Sequence, residues 1–293
     1  MRAIGAIALI ATHGHRKVHQ VGVRFAKGHG TENDFVLLPD PDGALDLTEA
    51  RVRTLCDRRR GLGADGVLRV VRSEAMGETH GEPGGEWFMD YRNGDGSIAE
   101  MCGNGVRVFG RFLVDSGLAE AGELLIGTRS GSRAVVVPPA GDVTADMGRA
   151  TVEGSSTATV EGIAFPGLVV NVGNPHLACV TEAFIEDLDL TVPPGHDPVV
   201  FPHGVNVEFV KITGAQTSVM RVYERGVGET RSCGTGTVAA VVAALRSGGM
   251  STGEYVVHTR GGDLRVLVDE DTSRLTGPAV IVADGELSDS WWG

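Results

Sequence analysis

Cys102-Gly103-Asn104-Gly105-Val106-Arg107-Val108-Phe109 and Cys233-Gly234-Thr235-Gly236-Thr237-Val238-Ala239-Ala240 are two copies of one pattern. Each begins with a cysteine, continues with two glycines around one polar residue, and runs on into apolar sequence. The first predicts a helix over about 104–116, stopped by Gly117, and the second a helix over about 235–246, stopped by Gly248. Both helices are apolar almost all round, and such a helix must be surrounded. The stretches between them are rich in short strand patterns and in glycine, 43 residues in all. The pattern predicts an α+β chain of two pseudo-symmetric halves, each a barrel-like, mostly antiparallel sheet wrapped around one apolar helix.

The paired motif also carries chemistry. A helix start leaves backbone N–H groups free and about half a positive charge, which suits an anion. Flanking glycines let a carboxylate approach that backbone closely. A cysteine placed there is expected to have its thiolate favoured. Two such ends facing each other would grip one α-carboxylate and set a sulfur on each face of the α-carbon. One sulfur as thiolate removes the α-proton while the other as thiol returns one to the opposite face. The reading is a cofactor-independent amino-acid epimerase with Cys102 and Cys233 as the acid/base pair. No lysine lies in a comparable setting, so no cofactor is expected and the carbanion would rely on fixed N–H dipoles in a site closed to water.

Composition limits the alternatives. The 293 residues hold 26 basic and 38 acidic side chains, a formal charge of −12, which disfavours a nucleic-acid or anionic-membrane partner. No apolar run approaches the roughly 20 residues that cross a bilayer. The four cysteines, Cys56, Cys102, Cys179 and Cys233, form no CxxC pair, so the chain is expected to be reduced and cytoplasmic, with no metal site. Cys56 and Cys179 fit core-facing positions. Residues 1–22 combine an apolar run with His13, His15, Arg16, Lys17 and His19 and lack a convincing small-x-small cleavage site before a mature start, so they are expected to be a dispensable leader.

Along the chain, 25–38 predicts strand, a glycine turn at Gly28 to Gly30, and strand. Thr48 is expected to cap a helix reaching Arg59. Hairpins are expected for 124–126 with 134–137 and for 255–258 with 264–268, with strands over 168–172, 177–180, 205–212 and 219–223. Polar clusters lie in the glycine-rich loops: Asn33-Asp34, Asn93-Gly94-Asp95-Gly96-Ser97, Gly173-Asn174-Pro175-His176, Val205-Asn206 and Glu224-Arg225 through Thr230. Each alone fits turn chemistry. Together they supply amides, an arginine fork for a second carboxylate and a carboxylate for a second ammonium, suiting a substrate with an amino-acid group at each end.

Phe25-Ala-Lys-Gly-His-Gly-Thr-Glu-Asn-Asp-Phe35, the run from Asn93 to Arg107, Gly173-Asn-Pro-His176 and the run from Tyr223 to Gly236 closely resemble the diaminopimelate epimerase family in order and spacing. That resemblance implies interconversion of LL- and meso-2,6-diaminopimelate for lysine and cell-wall synthesis, with Cys102 and Cys233 catalytic. It implies that Gly103, Asn104, Gly234 and Thr235 cradle the reacting carboxylate. Asn33, Asn93, Asn174, Asn206, Glu224 and Arg225 would hold the rest of the substrate, and His176 and Glu224 would relay or orient protons. It further implies a homodimer, and halves of 23–147 plus 278–293 and of 148–277. The sequence departs from the family at Thr31-Glu32, where leucine and glycine are common, and at Gly66, where a glutamine is common near the substrate. The alternatives are a proline racemase-like enzyme of the same architecture, which typically has histidine at the position of Asn104, and a non-enzymatic dithiol redox or metal module.

Overall fold

The computed structural model describes residues 22–77 and 85–292. The expectation for the leader 1–22 falls, apart from Gly22, outside the described residues. Helix α1 (Glu49–Cys56) is short; α2 (Gly103–Asp115) and α3 (Gly234–Ser247) are the two apolar helices. Every residue of α2 from Gly103 to Leu113 is buried, as is α3 from Gly236 to Leu245. A single apolar cluster runs through both halves and includes Val106, Phe109, Val238 and Val241.

The duplication expected from the motifs is written in the sheet. In the first half the strands are Arg24–Gly30, Asn33–Pro39, Gly66–Arg72, Trp87–Asn93, Gly122–Gly127, Arg133–Val137 and Val143–Gly148. Successive neighbours pair antiparallel, parallel, antiparallel, parallel, antiparallel and antiparallel. In the second half the corresponding strands are Ile163–Asn171, Pro175–Val180, Asn206–Gly214, Thr217–Glu224, Gly253–Thr259, Gly262–Val268 and Ser273–Gly277, with Thr151–Val160 and Gly228–Thr230 in addition. Their pairings repeat the same order. Each apolar helix lies in the crossover between the fourth and fifth strands of its half, the connection that a parallel pair requires. Val143–Gly148 pairs with Ser273–Gly277 across the halves, and Val280–Glu286 then returns to pair with Arg24–Gly30.

Register gives the equivalent positions. Phe35 stands opposite Gly66 and Leu37 opposite Leu68, as His176 stands opposite Asn206 and Ala178 opposite Glu208. Phe35 therefore corresponds to His176, Leu68 to Glu208, and Asn33 to Asn174. Asn93 precedes Cys102 by the same interval as Glu224 precedes Cys233.

Three local expectations are corrected. The first strand runs through Gly28 and Gly30, and the turn is Thr31-Glu32, both at positive φ (49° and 61°). A two-residue hairpin needs this handedness whatever its residues, and here two non-glycines bear it. Helix α1 starts at its Thr48 cap but stops at Cys56 rather than Arg59. The Asp57 carboxylate takes the Arg59 and Arg60 N–H groups at 2.9 Å each, drawing the backbone out of the helix. Gly66–Arg72, Val143–Gly148, Thr151–Val160 and Ser273–Gly277 are strands not foreseen. Thr151–Val160 and Val280–Glu286 are mostly exposed, so the alternation that marks a half-buried strand is weak in them.

Candidate active site

Cys102 and Cys233 are the N-caps of α2 and α3, each in extended backbone. Each sulfur accepts the N–H of the residue three positions on, Gly105 or Gly236, at 3.4 Å. That is the bond a serine or aspartate cap makes, so cysteine holds the side chain at the helix mouth. The two mouths meet head to head. A Cβ added at Gly234 would lie 3.1 Å from Gly103 Cα and 3.5 Å from Asn104 N, so only glycine permits this approach.

A cavity of about 360 Å³ opens where the helix ends meet. Its wall includes Cys102, Cys233, Asn33, Asn93, Gly103, Asn104, Asn174, Asn206, Glu224, Arg225, Gly234 and Thr235. Of the expected site residues His176 alone is off that wall. It is fully buried behind it, with Nε2 2.9 Å from Asn174 Oδ1 and Nδ1 2.7 Å from Glu208 Oε1.

The amides are held in place by their neighbours. Asn33 donates to Asp65 at 2.8 Å, and its Oδ1 lies 3.6 Å from the Cys102 sulfur and 3.4 Å from Asn104 Nδ2. Asp65 is held by Arg58, which also pairs with Asp34. Burial works against the Asp34 charge, yet Arg58 and Lys27 prevail and hold its carboxyl down to about 2. Asn206 accepts the Arg225 backbone N–H at 2.9 Å, and Asn93 donates to Ser97 at 3.0 Å. The Arg225 guanidinium donates to the His203 carbonyl at 3.3 Å, and among the described residues it forms no ion pair. At Gly66, a Cβ would meet Arg92 O at 2.6 Å and the Tyr91 ring at 2.8 Å, so no side chain can reach the site from there.

The expectation of favoured thiolates is corrected. Burial pushes Cys102 up to about 11, with the Gly105 N–H working the other way. Burial, then Glu224 and Glu208, push Cys233 well above its ordinary value. Desolvation of an anion outweighs one N–H and the helix end, so the protein surroundings favour the thiol at both sulfurs. Glu224 is also raised by burial, against hydrogen bonds from Thr230 and Cys233. Cys179 bonds the Phe165 carbonyl at 3.3 Å inside a separate apolar cluster, and Cys56 is buried in a third. Among the described residues no group of three His, Cys, Asp or Glu is arranged to hold a metal ion.

Several side chains that frame the site escaped the sequence reading. Glu208 was hidden within an apolar strand; aligning the two halves exposes it, because Leu68 holds the equivalent place. Arg107 is fully buried one turn into α2, bonding Asn104 Oδ1 at 2.9 Å and the Gly103 carbonyl at 3.1 Å. Thr31 donates to Ser232 at 2.8 Å, and Glu32 pairs with Arg231, so the strained turn of one half clasps the residues just before Cys233 in the other. Among the described residues no helix is long and apolar enough to cross a membrane.

The model of one protein family, described as diaminopimelate epimerase, matches residues 25–153 and 168–285. A curated diaminopimelate epimerase of Rhodococcus opacus (strain B4) is 54% identical over 283 residues, covering 92% of this chain and 98% of its own. Among solved structures, a PhzF-family phenazine biosynthesis protein of Bacillus anthracis aligns with a TM-score of 0.68 at 15% identity, over 91% of this chain and 99% of that one. A hydroxyproline epimerase of Agrobacterium vitis aligns with a TM-score of 0.67 at 14% identity, over 94% and 96%. At those identities the two structures share the fold.

Proposed function

Because this chain belongs to the diaminopimelate epimerase family, we propose that it interconverts LL- and meso-2,6-diaminopimelate by a two-base exchange between Cys102 and Cys233. The enzyme is an isomerase, and its product feeds lysine and peptidoglycan precursor synthesis. The observation that carries the reaction is the head-to-head meeting of α2 and α3, with one cysteine capping each and both lining one cavity.

The α-carboxylate would lie against the N–H groups of Gly103, Asn104, Gly234 and Thr235, where two helix dipoles converge. The incoming α-ammonium brings a positive charge beside buried sulfurs that are costly to ionise, and so favours one thiolate. That thiolate takes the α-proton. The C–H electron pair passes into the carboxylate, whose growing charge the fixed N–H groups meet without reorganisation. The opposite thiol then gives its proton to the other face, and the two sulfurs finish with their protonation exchanged. Glu224, accepting from Cys233, orients that thiol. His176 acts through Asn174, which it holds.

At the distal end, Arg225, which among the described residues forms no ion pair, stands at the cavity wall, fitting a second carboxylate, while Asn33, Asn93, Asn174 and Asn206 supply amides around the second ammonium. A proline-type substrate with a single carboxylate would leave Arg225 without a partner, which favours the diaminopimelate reading over a proline racemase-like one. We further propose a cytoplasmic homodimer without cofactor, metal or membrane attachment. The halves divide as 23–147 plus 278–293 and 148–277, a division the repeated strand order supports. Epimerisation by Cys102→Ala and Cys233→Ala tests the reading: each is expected to lose it, and inversion at the wild-type rate by either variant would refute the pair.

A further inference from the structure

The two halves repeat each other around the sulfurs except beneath the first turn of each helix. Under α2, the space below Gly105 is filled by Leu68 and Phe35, at 3.4 and 3.6 Å from where its Cβ would be. Under α3, the equivalent positions are Glu208 and His176, both fully buried and 2.7 Å apart. Glu208 Oε1 stands only 2.6 Å from where a Gly236 Cβ would be, while Oε2 has no hydrogen-bond partner. One half thus carries an apolar pair where the other carries an ionisable one. The reverse asymmetry holds one turn along, where Arg107 of α2 has Val238 as its counterpart in α3.

Resting on the reading of Cys102 and Cys233 as the acid/base pair, we propose that Glu208 is a positioning residue of the reaction. Its buried carboxylate is held by the His176 ring at 2.7 Å and, by its charge under the first turn of α3, holds Cys233 as the thiol of the pair. An unpaired carboxylate in an apolar core is costly, and the α3 dipole together with His176 offsets that cost. Cys233 faces Glu224 and Glu208, with the Thr235 hydroxyl at 3.6 Å and the Gly236 N–H at 3.4 Å. Cys102 instead has the apolar pair and the buried Arg107 cation behind it, with Glu224 as a near carboxylate. Glu208 itself is surrounded by His176, Glu224, Cys233 and the Cys179 thiol. Burial lifts the Glu208 carboxyl to about 7, so its charge is present above neutrality. Above that point the Glu208 carboxylate opposes ionisation of Cys233 in addition to the burial and Glu224 that oppose it at both sulfurs. The first proton lost from the two sulfurs is then that of Cys102.

The test is the pH dependence of iodoacetamide alkylation at each cysteine, read separately by peptide mass spectrometry on the full chain. Glu208→Gln keeps the shape and removes the charge. Glu208→Leu repeats the residue of the other half and carries the test should the amide variant fold poorly. In the wild type Cys102 is expected to react at lower pH than Cys233. Either substitution should lower the Cys233 midpoint by about one pH unit or more and leave Cys102 in place. A Cys233 midpoint that stays put, or that moves together with that of Cys102, would overturn the proposal. Epimerisation is followed in the same samples with Cys102→Ala and Cys233→Ala as controls. Inversion that survives those controls fails the underlying acid/base reading, a result distinct from an unmoved Cys233.

Discussion

Adding one methyl group at Gly234 should separate catalysis from stability. The new Cβ would stand 3.1 Å from Gly103 Cα, 3.5 Å from Asn104 N and 3.1 Å from Leu275 Cδ2. Two of these neighbours are backbone, so the helix mouths must part by a few tenths of an ångström. A 1 Å misplacement of reacting groups costs on the order of a hundredfold, so a shift of this size should lower kcat by about tenfold, or ~1.4 kcal/mol of barrier. Stability moves little, because the overpacking cost of about 1 kcal/mol is partly offset by alanine's better helix propensity. Gly103→Ala is the internal control. Its Cβ would meet the Met147 side-chain end at 2.7 Å, and that flexible tip can swing aside, so the loss should be smaller. The assay is epimerisation of LL-diaminopimelate by chiral chromatography, alongside thermal melting. A Gly234→Ala enzyme of wild-type rate, or a Gly103→Ala enzyme that is the more damaged, would refute the contact between helix ends as the source of geometry.

Arg225→Gln removes the guanidinium from the cavity wall; loss of a charged hydrogen bond of about 1.5–3 kcal/mol should raise KM by roughly 10–150-fold with a smaller change in kcat, and steady-state kinetics check it. Asp34 bears on acid stability, since its folded value of about 2 lies below the ordinary 3.8. Its contribution is complete above 3.8 and is lost as pH falls through 2, so Asp34→Asn should flatten the stability curve over that window. The amplitude should be about 1 kcal/mol after solvent screening, measured by urea melts at each pH.

The sequence disclosed the site more fully than the fold. The cysteine-glycine repeats located both helix mouths because cap and helix-start chemistry is local, and α2 and α3 begin within one residue of expectation. The asparagines and Arg225 were legible as loop clusters, and they line the cavity where the halves meet. Glu208 was not, since a carboxylate in Val207-Glu208-Phe209 reads as an outward-facing strand position. Only the register against Ala178 places it inward beside His176. Thr31 and Glu32 carried no turn signal, because their positive φ is imposed by the hairpin and held by contacts to Ser232 and Arg231 that are remote in sequence. Expecting a lowered thiol pKa at a helix start failed for a related reason: burial is a tertiary property, and here it dominates.

The most direct test of inversion by two sulfurs is early turnover of LL-diaminopimelate in heavy water, without added cofactor, with deuterium located by mass spectrometry. With Cys102 taking a proton from one face and Cys233 delivering a solvent-derived one to the other, meso product should carry deuterium at the inverted α-carbon. The remaining LL substrate should stay unlabelled. Product that retains the substrate's own α-proton would mean that a single group moves the proton between faces, and would contradict the paired-cysteine reaction.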